Sequence, residues 1–421
     1  MLNFTRIKSN KQFSNLVIYG IGQGFNLVTP LLVAPYLVYV CGVDGYGKIG
    51  TAMAISFFLI VMVDYGIDIT GVKDISVNRH NKAKLEEIMS TAYVSRFLLL
   101  TGILAIASFL FYMVPFFSNE KMLYFLSLPI VIGQFINPTW ILQGIENFSW
   151  ITILNILSKI LYAAGVFIVI HDSGDYIYSN LLWGAGTITA NLISLIYLRS
   201  KYNISLRNTS KEKVAGYIKA NFSLSFSQLF VSAQLYFPIV LINFMGGGIM
   251  AGIFRIVEQI VGMFKTYIIL FSNYVYPKVC YLLEVNLKAG MRFWKQYNGA
   301  NFIFVAIAMV TLYVMAVPVV AYFGPKNPDE VAKLLRLAVL LPVMLTISMP
   351  LRQLLLGWDH QKLYVRLTMA LVVFNGLLMA ALLHFYGISG VFASLIITEG
   401  ITALLYMYGI REKLFGTAQT V

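Results

Sequence analysis

Stretches of about twenty residues with few charges recur along this chain, and they limit what it can fold into. A helix crosses the ~30 Å hydrocarbon core of a bilayer with about 20 apolar residues. Twelve such runs can be placed: 15–40, 49–71, 91–113, 123–142, 150–170 and 177–198, then 217–245, 249–276, 298–323, 332–356, 364–383 and 388–408. With 59% hydrophobic residues, 12% charged residues and a mean hydropathy of +0.76, the chain needs a membrane as its solvent. In hydrocarbon every backbone polar group must be satisfied internally, so the spans are helices. The sequence predicts an all-α polytopic membrane protein of about twelve transmembrane helices.

Charge sets the expected orientation. Arg6, Lys8 and Lys11 precede the first run, which is too long for a signal peptide and lacks a small-x-small cleavage site. It reads as a retained helix. If the spans alternate from an inside N-terminus, the inside loops hold most of the Lys and Arg, and the outside loops carry only Lys48, Lys121, Lys326 and Lys333. Both termini are therefore predicted to be cytoplasmic. The net charge of +13 follows from this bias, and no nucleic-acid partner is expected. Cys41 and Cys280 fall on opposite faces, and His80, His171, His360 and His384 are scattered, so neither a disulfide nor a metal site is expected.

The first six spans are echoed by the second six. Both halves open with a long span interrupted by proline, at Pro30 and Pro35 in one and at Pro238 in the other, where breaks in the helix are expected. Each opening span leads into a glycine-rich turn, Gly42 to Gly47 or Gly246 to Gly248. A basic segment follows the second span of each half. In the second half Val279, Leu283, Leu287, Met291 and Trp294 recur opposite Lys278, Lys288, Arg292 and Lys295, which predicts an amphipathic helix on the membrane surface. Its counterpart has Asn81 as N-cap, with Leu85, Ile88 and Met89 as the apolar side. The fourth spans end alike, in Gln143-Gly144-Ile145-Glu146 and Leu356-Gly357-Trp358-Asp359. Six spans per half make a parallel repeat, two six-helix lobes related by a pseudo-two-fold axis along the membrane normal. The expected organisation is a cytoplasmic N-terminus (1–13), a first lobe (14–198), a basic cytoplasmic linker (199–216), a second lobe (217–410) and a cytoplasmic tail (411–421).

Charges inside the spans are the candidate functional residues. The basic ones are Arg96, Lys159, Arg255, Lys265, Arg336, Arg352 and Arg366, and the acidic ones Asp64, Asp68, Glu258 and Glu399. Each costs about 2.5–3.5 kcal/mol at a helix centre, so most must face a wet cavity, a partner or the interface. Arg336 and Arg366 lie near span ends, where snorkelling explains them. Lys265, Arg255, Lys159, Arg96 and Arg352 remain as a cationic, substrate-binding set, and Glu258, Asp64 and Glu399 as candidates for coupling to a proton or sodium ion. Arg255 and Glu258 are three apart on one helix face, with Lys265 two turns beyond Glu258. The positive excess favours an anionic cargo, and a diphosphate headgroup suits convergent Lys and Arg.

Several segments resemble a known family. The Gly45-Tyr46-Gly47 turn and Asp64-Tyr65-Gly66 leading to Arg79 resemble the polysaccharide-exporter branch of the multidrug/oligosaccharidyl-lipid/polysaccharide superfamily. Asn137-Pro138-Thr139-Trp140-Ile141-Leu142-Gln143-Gly144-Ile145-Glu146 is similar to the Pro-x-Trp-x-x-Gln-Gly-x-Glu segment of Wzx-type O-antigen flippases. The resemblance implies two lobes facing each other as a V in the bacterial inner membrane. It also implies alternating-access flipping of undecaprenyl-diphosphate-linked oligosaccharide, with a glycan polymerase and a chain-length protein as partners. In the motif itself Pro138 is expected to bend the fourth span, Trp140 to sit at the headgroup interface, and Gln143, Gly144 and Glu146 to form a turn. No cofactor beyond a coupling ion is implied, and the protein reads as a transporter, not an enzyme. The alternatives are a multidrug exporter of the same superfamily, disfavoured by the basic spans, and a membrane glycan polymerase or glycosyltransferase. Such enzymes carry a large external loop, and every predicted external loop here is short.

Overall fold

A computed structural model describes residues 11–202 and 209–416. Predicted features at 1–10, 203–208 and 417–421, Arg6, Lys8 and part of the basic linker among them, lie outside the described residues. Thirteen α-helices follow one another: α1 (Lys11–Asp64), α2 (Ile67–Asn78), α3 (Lys82–Met113), α4 (Lys121–Ile136), α5 (Thr139–Gly144), α6 (Phe148–Val169), α7 (Ser179–Tyr202), α8 (Lys211–Val285), α9 (Leu287–Val314), α10 (Ala316–Ala321), α11 (Pro328–Ala338), α12 (Leu340–Gly357) and α13 (Gln361–Gly416). Short 3-10 turns at Pro115–Glu120 and Ser173–Tyr178 precede α4 and α7.

Nine helical stretches among the described residues are long and apolar enough to cross a membrane. Helix α8 has 75 residues, which at 1.5 Å per residue far exceeds one bilayer thickness. Its backbone departs from helical geometry at Gly247, as α1 does at Gly42 and α13 at Gly387. Counting each of these three broken helices as two crossings turns nine into the twelve that hydropathy predicts.

The breaks fall at the glycines and not at the prolines. The backbone stays helical through Pro30 and Pro35, and in α8, which contains Pro238, the residue that leaves helical geometry is Gly247. A proline removes one N–H and bends a helix without leaving helical dihedrals. Gly42 (φ 73°, ψ 171°) and Gly247 (φ 75°, ψ −178°) adopt the same backbone state, one open almost solely to glycine.

The internal repeat is built from matched backbone devices. Thirty-nine residues after Gly42 and after Gly247, an asparagine caps the next helix: Asn81 Oδ1 accepts from Lys84 N, and Asn286 Oδ1 from Ala289 N. Helices α5 and α12 then end in the same left-handed cap. Glu146 (φ 60°) and Asp359 (φ 61°) occupy the left-handed position. Asn147 N donates to Leu142 O and Glu146 N to Gln143 O, just as His360 N donates to Leu355 O and Asp359 N to Leu356 O.

The chain divides into two compact units, one ending at Val240 and the other beginning at Leu241, inside α8. The first stretch of α8 thus packs with the first unit. Its buried residues include the polar Asn221, Ser225 and Ser232 beside Val214 and Ile239, and Leu224 and Ser225 abut Gly66. Tyr236 meets the ring of Phe57 at 5.6 Å.

In the second unit, the predicted surface helix is instead part of the core. Val279 and Leu283 are buried, and Leu287, Met291 and Trp294 pack on the same cluster. Trp294 Nε1 donates to Pro350 O at 3.1 Å, fixing the start of α9 against α12. An apolar stripe finds its burial in the neighbouring helix before it needs lipid.

Candidate functional site

In the first unit the second span is broken where its carboxylate sits. Helix α1 ends at Asp64, and Tyr65 (φ 49°) and Gly66 (φ 79°) are both left-handed before α2 starts. Asp64 accepts from Arg96 Nη2 of α3 at 2.6 Å and from Gln134 Nε2 of α4 at 2.9 Å. Arg96 is 1% exposed, also donates to Gln134 O, and its guanidinium lies 5.8 Å from the ring centre of Tyr93 and 5.7 Å from that of Phe135. Three spans are thereby joined by one buried, charge-assisted network. The second unit joins its corresponding spans with neutral groups: Gln353 of α12 donates to Ser272 Oγ of α8 and accepts from Asn298 Nδ2 of α9.

Gln134 belongs to two structures at once. Its carbonyl accepts from Asn137 Nδ2, and Asn137 Oδ1 accepts from the N–H and hydroxyl of Thr139. Gln134, Asn137 and Thr139 then line a cleft of about 190 Å³ within the first unit. Its other polar walls are Asn155, Ser158, Lys159, Thr187 and Asn191, with Trp183 and Phe57 as aromatic walls. Lys159 Nζ stands 3.4 Å from the centre of the Trp183 ring. Among the described residues that line the cleft, none is acidic.

The predicted motif supports this cleft from behind. Pro138 is the N-cap residue of α5, and Trp140 is 2% exposed in the core with Tyr93 and Leu142. Trp140 is therefore a core residue and not an interfacial one, because α5 is packed on α2. A Cβ on Gly144 would stand 2.4 Å from the Ile75 side chain, and one on Gly71 would stand 2.8 Å from Trp140. Gln143 is half-buried, and Glu146 accepts from Arg79 Nη1 at 2.9 Å, so the two separated pieces of the family pattern meet.

The remaining members of the cationic and coupling sets, Arg255, Glu258, Lys265, Arg352 and Glu399, belong to the second unit. Ser348 Oγ of α12 donates to Glu399 Oε2 of α13 at 2.8 Å, and Lys265 and Arg352 are both half-buried. Arg255 is half-buried and Glu258 exposed on α8.

Sequence reasoning missed Gln134, Asn137, Asn155, Trp183 and Asn191. The sequence signalled that Lys159 needs a partner, though not that the partner is Trp183. Lys159 has no acid one turn away on its own helix, where Asn155, Ile156, Tyr162 and Ala163 stand, so its partner had to come from another span.

A twelve-span helical chain with a polar, cation-bearing cleft inside one helical unit is a polytopic membrane transporter in class. Residues 13–279 match the family described as Polysaccharide biosynthesis protein. The chain belongs to that family. It is 23% identical over 408 residues to the protein of Escherichia coli (strain K12) named "Putative O-antigen transporter", covering 95% of this chain and 97% of that one. Among solved structures it is similar to the lipid II flippase MurJ in an inward closed conformation, with a TM-score of 0.76 and 15% identity over 94% of this chain and 87% of that one. It is also similar to an inward-facing multidrug resistance MATE family transporter of the MOP superfamily, with a TM-score of 0.71 and 16% identity over 93% and 96% of the two chains. At such identities the likeness to solved structures establishes the fold.

Proposed function

We propose that the protein is a flippase for an undecaprenyl-diphosphate-linked oligosaccharide, an O-antigen or other surface-polysaccharide repeat unit. It carries this cargo from the cytoplasmic to the periplasmic leaflet of the bacterial inner membrane by alternating access, with both termini cytoplasmic. A proton or sodium ion enters through Asp64, Glu258 or Glu399 and drives the cycle. Lys265 and Arg352 receive the diphosphate. A glycan polymerase and a chain-length protein take up the product.

The observation that carries this reading is the cleft of the first unit, in a chain of the polysaccharide biosynthesis family. Amides, hydroxyls and ring faces suit a glycan, and among the described residues that line the cleft the one charged wall is Lys159. An exporter of organic cations would need acidic walls instead. The names of the E. coli relative and of the lipid II flippase support the same cargo class.

Deletion of the gene tests the proposal. Surface glycan assembly stops while completed lipid-linked units accumulate on the cytoplasmic leaflet. Normal surface glycan with altered drug tolerance would overturn it in favour of the exporter, and accumulation of incomplete sugar units in favour of the enzyme.

A further inference from the structure

The cleft's charge count does not suit a diphosphate. Two linked phosphates call for several convergent cations, whereas among the described residues the cleft holds one, Lys159. The other polar groups of the lining are neutral; among them Ser158 Oγ, Thr187 Oγ1 and Asn191 Nδ2 donate to main-chain carbonyls and keep acceptor oxygens, and with Asn155 they are of the kind that meet sugar hydroxyls. Asn155 and Lys159 are one turn apart on α6, so amide and ammonium reach the same space. Trp183 is held by its neighbours, with Tyr162 at 4.9 Å and Phe57 at 6.2 Å between ring centres. Its position is fixed, while the ammonium over its face sits on a flexible stem.

We infer that this cleft is a subsite for a single sugar residue bearing one carboxylate, a uronic acid class of residue, within the transported oligosaccharide. The inference rests on the flippase reading and deepens it. Without cargo Lys159 rests on the Trp183 ring, a weak substitute for a counter-charge in a site with no carboxylate. An incoming carboxylate draws the ammonium away and forms a charge-assisted hydrogen bond with it. The uncovered indole face then stacks against the apolar face of the sugar ring. A neutral sugar leaves the ammonium on the ring and finds the stacking face occupied. One cation thus selects for one negative charge and, through the ring, for the pyranose that carries it.

The test uses the full-length protein in lipid nanodiscs and two soluble oligosaccharides that differ at one group, a trisaccharide with one uronic acid and its carboxyl-reduced counterpart. Calorimetric titration should give binding about tenfold or more tighter for the acidic trisaccharide. Lys159→Met should remove the preference, and Lys159→Arg should keep part of it. Equal binding of the two trisaccharides by the wild-type protein overturns the inference without recourse to any variant, as does a preference that survives Lys159→Met. Complementation of a flippase-deficient strain is scored in parallel. If complementation holds while the preference is absent, the sugar inference alone falls. If complementation fails, the flippase reading falls.

Discussion

Arg96 Nη2 lies 2.6 Å from Asp64 Oδ1 in the interior of the first unit, with the arginine 1% exposed. The pair is worth little compared with an apolar replacement, but removing one partner strands the other charge. Asp64→Asn should therefore lower stability by about 3–5 kcal/mol. Replacing both, as Asp64→Leu with Arg96→Met, should recover much of the loss, giving a large coupling in a double-mutant cycle. Thermal unfolding of detergent-purified protein measures it. Additive losses would mean that the two charges do not depend on each other.

Glu146 separates the structural from the functional role of the family motif. Its left-handed φ of 60° is unfavourable for any residue with a Cβ, and its ion pair with Arg79 is solvent-exposed, a kind worth about 0–1 kcal/mol. Glu146→Gly should leave stability unchanged within about 1 kcal/mol, whereas Glu146→Val should lower it through a β-branched residue at positive φ. Loss of transport in a stable Glu146→Gly protein would give the carboxylate a role beyond the turn. Gly144→Ala is the opposite case. Its Cβ meets Ile75 at 2.4 Å, and membrane abundance should fall by the equivalent of about 1–3 kcal/mol.

Crossings were legible in the sequence because the thickness of hydrocarbon is a hard threshold, and each predicted run falls on a helix, on half of a broken one, or on two helices in succession such as α4 and α5. The break at Tyr65-Gly66 was not, since a two-residue departure inside an apolar run leaves hydropathy unchanged. Partners across helices were only half legible. The sequence put Arg96 among the substrate-binding cations and Asp64 among the coupling acids, although Asp64 lies seven residues before the predicted end of its span and Arg96 five after the start of the next, depths at which the two can meet. Lys159 and Trp183 offered no such rule, because an aromatic ring carries no formal charge to match. The surface helix was misread because periodicity reveals an apolar face but not which neighbour covers it.

Orientation follows from charge and is open to direct measurement. Reporter fusions after Asn119, Ser173 and Asn327 should read periplasmic, and those after Asn81, Asn147 and Asn286 cytoplasmic. A fusion after Asn208, outside the described residues, should also read cytoplasmic. Asn147 is the sharpest of these. Its loop carries no Lys or Arg, yet it ends the same left-handed cap as His360 in the second unit, so its cytoplasmic side is expected from the repeat and not from the charge bias. A periplasmic signal there would break the six-plus-six scheme.

The second unit supplies the test of the diphosphate site. Lys265 is sixteen residues from the predicted start of its span at Ile249, about 24 Å of helix, too deep for its side chain to reach water easily through lipid. Glu399 accepts from Ser348 Oγ at 2.8 Å, and Lys265 and Arg352 belong to the same unit. If Lys265 attracts the diphosphate, Lys265→Ala should abolish complementation at matched membrane abundance. Lys265→Arg keeps the charge in a different shape and should retain part of it. Arg366, exposed near the start of α13, provides the control, and Arg366→Gln should transport normally. Glu399→Gln keeps the hydrogen bond from Ser348 within reach while removing the charge. Retained transport with altered proton or sodium dependence would identify Glu399 as the coupling acid, whereas unchanged ion dependence would leave it as a structural counter-charge to Lys265 and Arg352. Full complementation by Lys265→Ala would remove the diphosphate from this locus.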